Sequence, residues 1–383
     1  MLHSVVESQG EDSISFFSFA AIRGVQAGRE YFVTMCPLKL IPKLFLFDEE
    51  ELDLPPEVRA QRTLNKSRIP KITRYISENY DSYVFSSLTV SVDARFEFHL
   101  LTEKDENRLG QNRLGYLQIP MDANFVINDG QHRRAAIEEA IKINPDLGNE
   151  SISVVFFPDL GLARSQQMFS DLNQHAVKPT RSLSILYNHR DALGNMIKEV
   201  IKQIPIFKMY TEYEKTTISN RSIKTFTLSA IYQANQTLLD LPNDVKTVTT
   251  EHKDLVRDFW IYVTKFIKEW QMLINKTVNP SELRKNYVHV HGVILSALGI
   301  VGRDLVNSFP QNWHRRLANI KKIDWSRVDN PAWQDRLLTP TGKISKSRDS
   351  IILTSNYIKS FLDLPLSEHE QAVEQKLYRS KEA

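Results

Sequence analysis

The sequence predicts an α+β fold. A mixed α/β domain is expected over residues 1–181, followed by a mainly helical domain over 182–383. Three observations lead there. Before residue 182, short apolar runs alternate with helical patterns. Beyond it, apolar residues recur at three- and four-residue spacing over long stretches, as amphipathic helices require. The chain also holds only 13 glycines in 383 residues, about half the usual ~7 % usage, which suits a helix-rich protein.

The elements follow in order. Tyr31-Phe32-Val33-Thr34-Met35 reads as an early strand, and residues 48–53 (Asp-Glu-Glu-Glu-Leu-Asp) as an acidic loop. Residues 59–80 form a basic helical segment in which Ile69, Ile72 and Ile76 lie at helical spacing and Pro70 suits a first turn. Residues 84–92 and 96–101 read as strands, and 102–115 as a polar loop. Phe125-Val126-Ile127 is a strand that stops at Asn128-Asp129-Gly130. A helix then places Ala136, Ile137, Ala140 and Ile141 on one side and Glu138, Glu139 and Lys142 on the other. With the apolar run 152–157 this makes a βαβ unit, expected to be right-handed with parallel strands. A helix near 162–172 follows, and its polar end Asn173-Gln174-His175 can approach the Asp129 turn in a compact sheet. In the second half, 254–275 and 289–306 read as long helices.

The turn at 128–134 concentrates a carboxylate, amides, an imidazole and two guanidinium groups, a polar density that a core does not need. A helix start offers free N–H groups and the positive end of the helix dipole, and so attracts anions. Arg133 and Arg134 supply forked donors suited to phosphate. The structural alternative is that Asp129 caps the helix and Arg134 pairs weakly with Glu138.

Asp129-Gly130-Gln131-His132-Arg133 is the signature of the DGQHR-domain proteins. The chain resembles the DndB branch of that family, associated with DNA phosphorothioate modification. Supporting stretches are 61–69 (Gln-Arg-Thr-Leu-Asn-Lys-Ser-Arg-Ile), 168–173 (Met-Phe-Ser-Asp-Leu-Asn) and 351–355 (Ile-Ile-Leu-Thr-Ser). The amino-terminal domain is also distantly similar to ParB and sulfiredoxin domains, which carry Gly-Glu-Arg-Arg at the equivalent turn and bind nucleotide phosphates there. This chain has Gln131-His132 in place of Glu-Arg. The resemblance implies a DNA-binding regulator, a repressor of its own operon, that recognises promoter duplex and works with other modification proteins. The 182–383 domain would then serve DNA binding or oligomerisation, with a homodimer suited to symmetric operators.

Charge distribution agrees with a polyanionic partner. The formal net charge is only +3. Yet Arg59, Arg62, Lys66, Arg68, Lys71 and Arg74 occur without an intervening acid. A second stretch, 314–348, holds Arg315, Arg316, Lys321, Lys322, Arg327, Arg336, Lys343, Lys346 and Arg348 against Asp324, Asp329 and Asp335. Clustered cations displace the counterions of DNA; the bland alternative is a set of solvated helix faces. Trp325 and Trp333, interleaved in the second stretch, are expected to be core or interface anchors rather than base-stacking platforms.

An enzymatic alternative stays open. Gly130, Gln131, Arg133, Arg134 and Asn173 would hold ATP or another nucleoside triphosphate with Mg²⁺. Asp129 would carry the metal, and His132 would act as acid/base or positioning group. A third reading makes the motif scaffolding only. Other chemistry is bounded. The single cysteine, Cys36, excludes intramolecular disulfides and Cys-rich metal or cluster sites, and is expected to be a small buried residue rather than a nucleophile. His289 and His291 diverge in the helix expected there, which disfavours a metal. Ser170 and Ser296 lack a nucleophile context, no Walker A pattern occurs, and 339–343 (Thr-Pro-Thr-Gly-Lys) reads as a turn. No signal peptide or membrane span is read, so the cytoplasm is the expected location.

Overall fold

Strand alternation and helical periodicity are both realised, in two separate units, Met1–Val177 and Lys178–Ala383. The computed structural model describes residues 15–45, 65–101, 113–162, 164–174, 178–243, 245–328 and 330–382. The acidic run 48–53, Arg59, Arg62, most of the polar loop 102–115, His175 and Asp329 lie outside them.

The first unit is built on a seven-stranded mixed sheet. Its strands are β1 (Phe16–Gln26), β2 (Arg29–Pro37), β3 (Leu88–Asp93), β4 (Glu97–Leu100), β5 (Leu114–Pro120), β6 (Asn124–Asp129) and β7 (Ser151–Pro158), in the order β4-β5-β1-β2-β7-β3-β6. The 84–92 run begins as strand only at Leu88; Val84 is exposed. Alternate residues face one core: Phe32 and Cys36 from β2, Leu88, Val90 and Val92 from β3, and Ile152, Val154 and Phe156 from β7. Helices α1 (Ile69–Glu78) and α2 (Gln131–Ile143) pack on each other, and Ile76, Ala136, Ile137 and Ala140 close this core. Helix α3 (Ser165–Gln174) packs against β6, and Asn128 of β6 and Ser91 of β3 both meet its Met168. Cys36 is fully buried, as expected, and burial pushes its thiol up to about 12, so no thiolate forms near neutral pH.

The expected parallel βαβ unit is corrected. β3 lies between β6 and β7, parallel to β7 and antiparallel to β6, so β6 and β7 run in opposite directions. Element order along the chain reports neither neighbours nor direction. Here the sheet centre is taken by β3, whose Leu88, Val90 and Val92 are fully buried.

The second unit is helical: α4 (Arg181–Tyr187), α5 (Ala192–Ile201), α6 (Leu228–Leu238), α7 (Thr250–Phe266), α8 (Lys268–Ile274), α9 (Pro280–Asn286), α10 (Gly292–Ser308), α11 (Arg348–Ser360) and α12 (Glu368–Glu382), with a short parallel pair β8 (Thr211–Glu212) and β9 (Phe226–Thr227). The helix expected over 254–275 is two, broken where Ile267 turns extended and buries its side chain. Phe207, Phe226, Trp260 and Trp270 form the aromatic centre, with ring centroids 5.1–6.5 Å apart. α6 and α10 approach so closely that a Cβ at Gly299 would sit 2.4 Å from the Ala234 carbonyl oxygen. Trp325 and Trp333 are buried and stacked at 5.7 Å, as core anchors. Lys359, 1 % exposed, is held by Asp304 at 2.5 Å and Glu370 at 2.6 Å, which ties α10 and α12 to α11. Among the described residues no helix is long and apolar enough to cross a membrane.

Candidate nucleic-acid interface

The strand–turn–helix read at 125–143 is present, and backbone geometry explains its glycine. Gly130 has φ +109°, and a Cβ there would lie 2.3 Å from Leu88 Cδ2. Only glycine fits both the conformation and the space. The expected Asp129 cap is absent: no side chain caps α2, because the left-handed Gly130 occupies the capping position. Asp129 Oδ2 instead accepts a 2.6 Å bond from Arg133 Nη2, one helical turn on.

Each motif side chain has an assigned partner. Arg133 Nη1 donates to the Ser86 carbonyl (2.6 Å), the Ser86 hydroxyl (2.7 Å) and the Ser87 carbonyl (2.6 Å), clamping the segment before β3 to the turn. Arg134 is buried; its Nε donates to the Phe45 carbonyl at 2.8 Å, Nη2 to the Pro42 carbonyl at 3.1 Å, and Nη1 pairs closely with Glu138. The pair with Glu138 read from sequence therefore exists, but within a buried clamp rather than on a solvated face. Gln131 Nε2 donates to the Ile127 carbonyl at 3.1 Å. His132 Nε2 accepts the Asn65 backbone N–H at 3.0 Å. Burial first, and the charge of Arg68 second, hold its pKa below the usual histidine value, so the ring is neutral with its proton on Nδ1.

The His132–Asn65 bond joins the motif to the basic segment. Asn65 also caps the 3₁₀ turn Lys66–Arg68 by accepting Ser67 N–H at 3.1 Å, and α1 continues from it with Pro70 in its first turn. Ile69, Ile72 and Ile76 pack inward. Lys66, Arg68, Lys71 and Arg74 are exposed. Asn173 lies on α3, but its side chain is outside the described residues. Helix α3 meets β6 through other groups: Asn128 Nδ2 lies 2.7 Å from Ser91 Oγ and 3.0 Å from Met168 Sδ, and Ser165 Oγ donates to Asn128 Oδ1 at 2.8 Å. Asn128 stood in the sequence run as a signal; Ser86, Ser87 and Ser165 carried none.

In the second unit the basic stretch divides. Arg315, Lys321, Lys322, Lys343, Lys346 and Arg348 are exposed. Arg316 stacks on Phe309 at 3.7 Å and lies 3.9 Å from Asp363. Arg327 donates to the Gly342 carbonyl at 2.7 Å, and Arg336 is a bidentate partner of Glu374, so these two are structural. The 339–343 turn forms as read, closed by Gly342 N–H to the Thr339 carbonyl at 2.8 Å. The helix expected to carry both histidines is corrected: it starts at Gly292, after them. His289 is buried and accepts Trp270 Nε1–H on Nδ1 at 3.0 Å, a core role. No group of three or more His, Cys, Asp or Glu able to hold a metal occurs among the described residues.

No curated protein and no solved structure matches the chain. The family profile DndB, described as DNA-sulfur modification-associated, matches residues 19–365, across both units. That span includes the clamped DGQHR turn, the basic segment docked on it and the helical second unit up to the end of α11, short of α12. The chain belongs to the DndB family and is associated with DNA sulfur modification.

Proposed function

We propose that this protein binds duplex DNA and represses the operon that encodes its modification system. The observation carrying this reading is the exposed cationic face of Lys66, Arg68, Lys71 and Arg74, whose segment is fixed to the motif turn by the Asn65–His132 bond. Cations held on a rigid element make phosphate contacts at a smaller entropic cost than a mobile tail. Arg315, Lys321, Lys322, Lys343, Lys346 and Arg348 add phosphate contacts from the second unit, with a homodimer reading a symmetric site and other modification proteins as further partners. Arg59 and Arg62 extend the same basic run.

The motif turn serves chiefly as the scaffold for that face, since Arg133 and Arg134 are both hydrogen-bonded to protein groups. The alternative, a Mg²⁺-nucleoside triphosphate on Asp129, draws on the exposure of that carboxylate, 44 % of its side chain. Fluorescence anisotropy of a labelled duplex from upstream of the gene tests both, titrated at several salt concentrations with and without ATP or CTP plus magnesium. Preference over a scrambled duplex, with affinity falling by roughly two orders of magnitude between about 50 and 200 mM salt for about four phosphate contacts, is expected. Salt-independent binding, or none, refutes the phosphate-contact reading. A nucleotide-dependent change would make the Asp129 turn a switch.

A further inference from the structure

The second unit contains a cavity of about 460 Å³, within the size range of small-ligand sites. Its polar lining is one-sided in charge. Arg181, Arg284 and Lys346 line it, and among the described residues no Asp or Glu does. Two helix N termini open on it, α6 through Ser229 and Ala230 and α10 through Gly292 and Val293. α10 has no side-chain cap, so no capping side chain takes the N–H groups of Gly292 and Val293 there, while Ile294 N–H donates to the His291 carbonyl at 2.9 Å.

Unsatisfied buried groups collect at the same place. Arg284 is 5 % exposed, and its Nη atoms donate to the carbonyls of Asn220, Ser222 and Lys224. Its Nε has no hydrogen-bond partner, and no carboxylate forms an ion pair with it among the described residues. A buried guanidinium without a counter-charge is costly. Thr225, 2 % exposed, has an unpartnered hydroxyl, and His291 an unpartnered Nε2. Both line the cavity. Burial holds His291 neutral, so it adds no charge to the lining. The apolar part of the wall is formed by Phe226, Val290, Val293, Ile344 and Ile351.

We infer that this cavity binds a small organic phosphate of the nucleoside monophosphate class, its phosphate taken by Arg181, Arg284, Lys346 and the α10 N terminus and its flat apolar part by the wall around Phe226. An anion supplies the missing counter-charge of Arg284. The uncharged polar lining of Thr216, Thr217, Asn220, Gln233 and Ser296 suits the hydroxyls of a sugar. This site is separate in residues from the Asp129 turn and does not depend on the DNA-binding reading.

Isothermal titration of the full chain with AMP, adenosine and inorganic phosphate is the test. AMP should bind, inorganic phosphate more weakly, and adenosine least. Arg181 and Lys346 are exposed, so Arg181→Gln and Lys346→Ala should fold. Each should weaken AMP by about tenfold, the usual scale for one lost charge-assisted bond. Absence of AMP and phosphate binding at millimolar concentration would mean that water alone satisfies the cavity, and would overturn the assignment. Binding that survives both variants, or that is lost in Asp129→Asn instead, would overturn it equally by placing the ligand elsewhere.

Discussion

Arg133 is the residue at which scaffold and ligand roles part most cleanly. Replacing it with methionine keeps the aliphatic stem and removes the guanidinium. Nη1 carries two hydrogens, so its three acceptors, the Ser86 carbonyl, the Ser86 hydroxyl and the Ser87 carbonyl, share two full bonds between them. Nη2 adds the bond to Asp129. Charge-assisted bonds contribute about 1.5–3 kcal/mol each when buried. Ser86 is exposed and Asp129 is nearly half exposed, so water recovers part of the loss. The expected destabilisation of Arg133→Met is therefore about 2–4 kcal/mol. Urea unfolding followed by circular dichroism reads it as a lower midpoint with an unchanged slope. Faster amide exchange in β3 and β6 would locate it, because the clamp joins the chain before β3 to the turn after β6. An unfolding free energy within about 0.5 kcal/mol of the parent, combined with loss of ATP or CTP binding, would refute the clamp and make Arg133 a ligand group.

Three further outcomes follow from the same geometry. Gly130→Ala must place a Cβ 2.3 Å from Leu88 Cδ2 at φ +109°, and should cost about 2–4 kcal/mol by thermal denaturation; a neutral effect would mean that the turn is not built as described. Arg68→Ala and Lys71→Ala should each reduce the slope of log affinity against log salt by about 1 while leaving unfolding unchanged, and a variant that alters neither slope nor affinity removes that cation from the interface. Burial, with the charge of Arg327, pushes the His291 pKa from 6.5 down to about 4. As pH falls, the unfolded chain takes up this proton first, so the stabilisation is complete above about pH 6.5 and is lost progressively toward pH 4, by at most about 3 kcal/mol. Urea midpoints measured from pH 7 to pH 4.5 should fall, less so in His291→Gln, and identical pH profiles for the two proteins would contradict this.

Much of the molecule was legible because its signals are local. Ile69, Ile72 and Ile76 set the inward face of α1, and the same spacing put Lys71 and Arg74 outward, while Lys66 and Arg68 are exposed on the 3₁₀ turn before it. The helix from Gln131 and the buried places of Trp325 and Trp333 follow from periodicity and apolar area, which a chain carries residue by residue. The resemblance carried by Asp129-Gly130-Gln131-His132-Arg133 agrees with the DndB family match over 19–365. Local pattern misled where tertiary demands prevailed. Asp129 looks like a helix cap in one dimension, yet the left-handed Gly130 takes that position and frees Asp129 to pair with Arg133.

The sequence by itself determined the mixed α/β class, the helical second half, the strand–turn–helix setting of the motif and the basic face beside it. Only the tertiary structure decided what each polar group holds. His132 finds Asn65 across 67 residues, Arg133 finds Ser86 across 47, and Arg134 finds Phe45 across 89. It also decided that β3 separates β6 from β7 and reverses their relative direction. In the second unit it gathered Arg181, Arg284 and Lys346 around one cavity. The reason is physical. Side-chain periodicity is fixed by the backbone a few residues at a time. Hydrogen-bond partners and strand neighbours are chosen by which distant surfaces can be buried together with their polar groups satisfied.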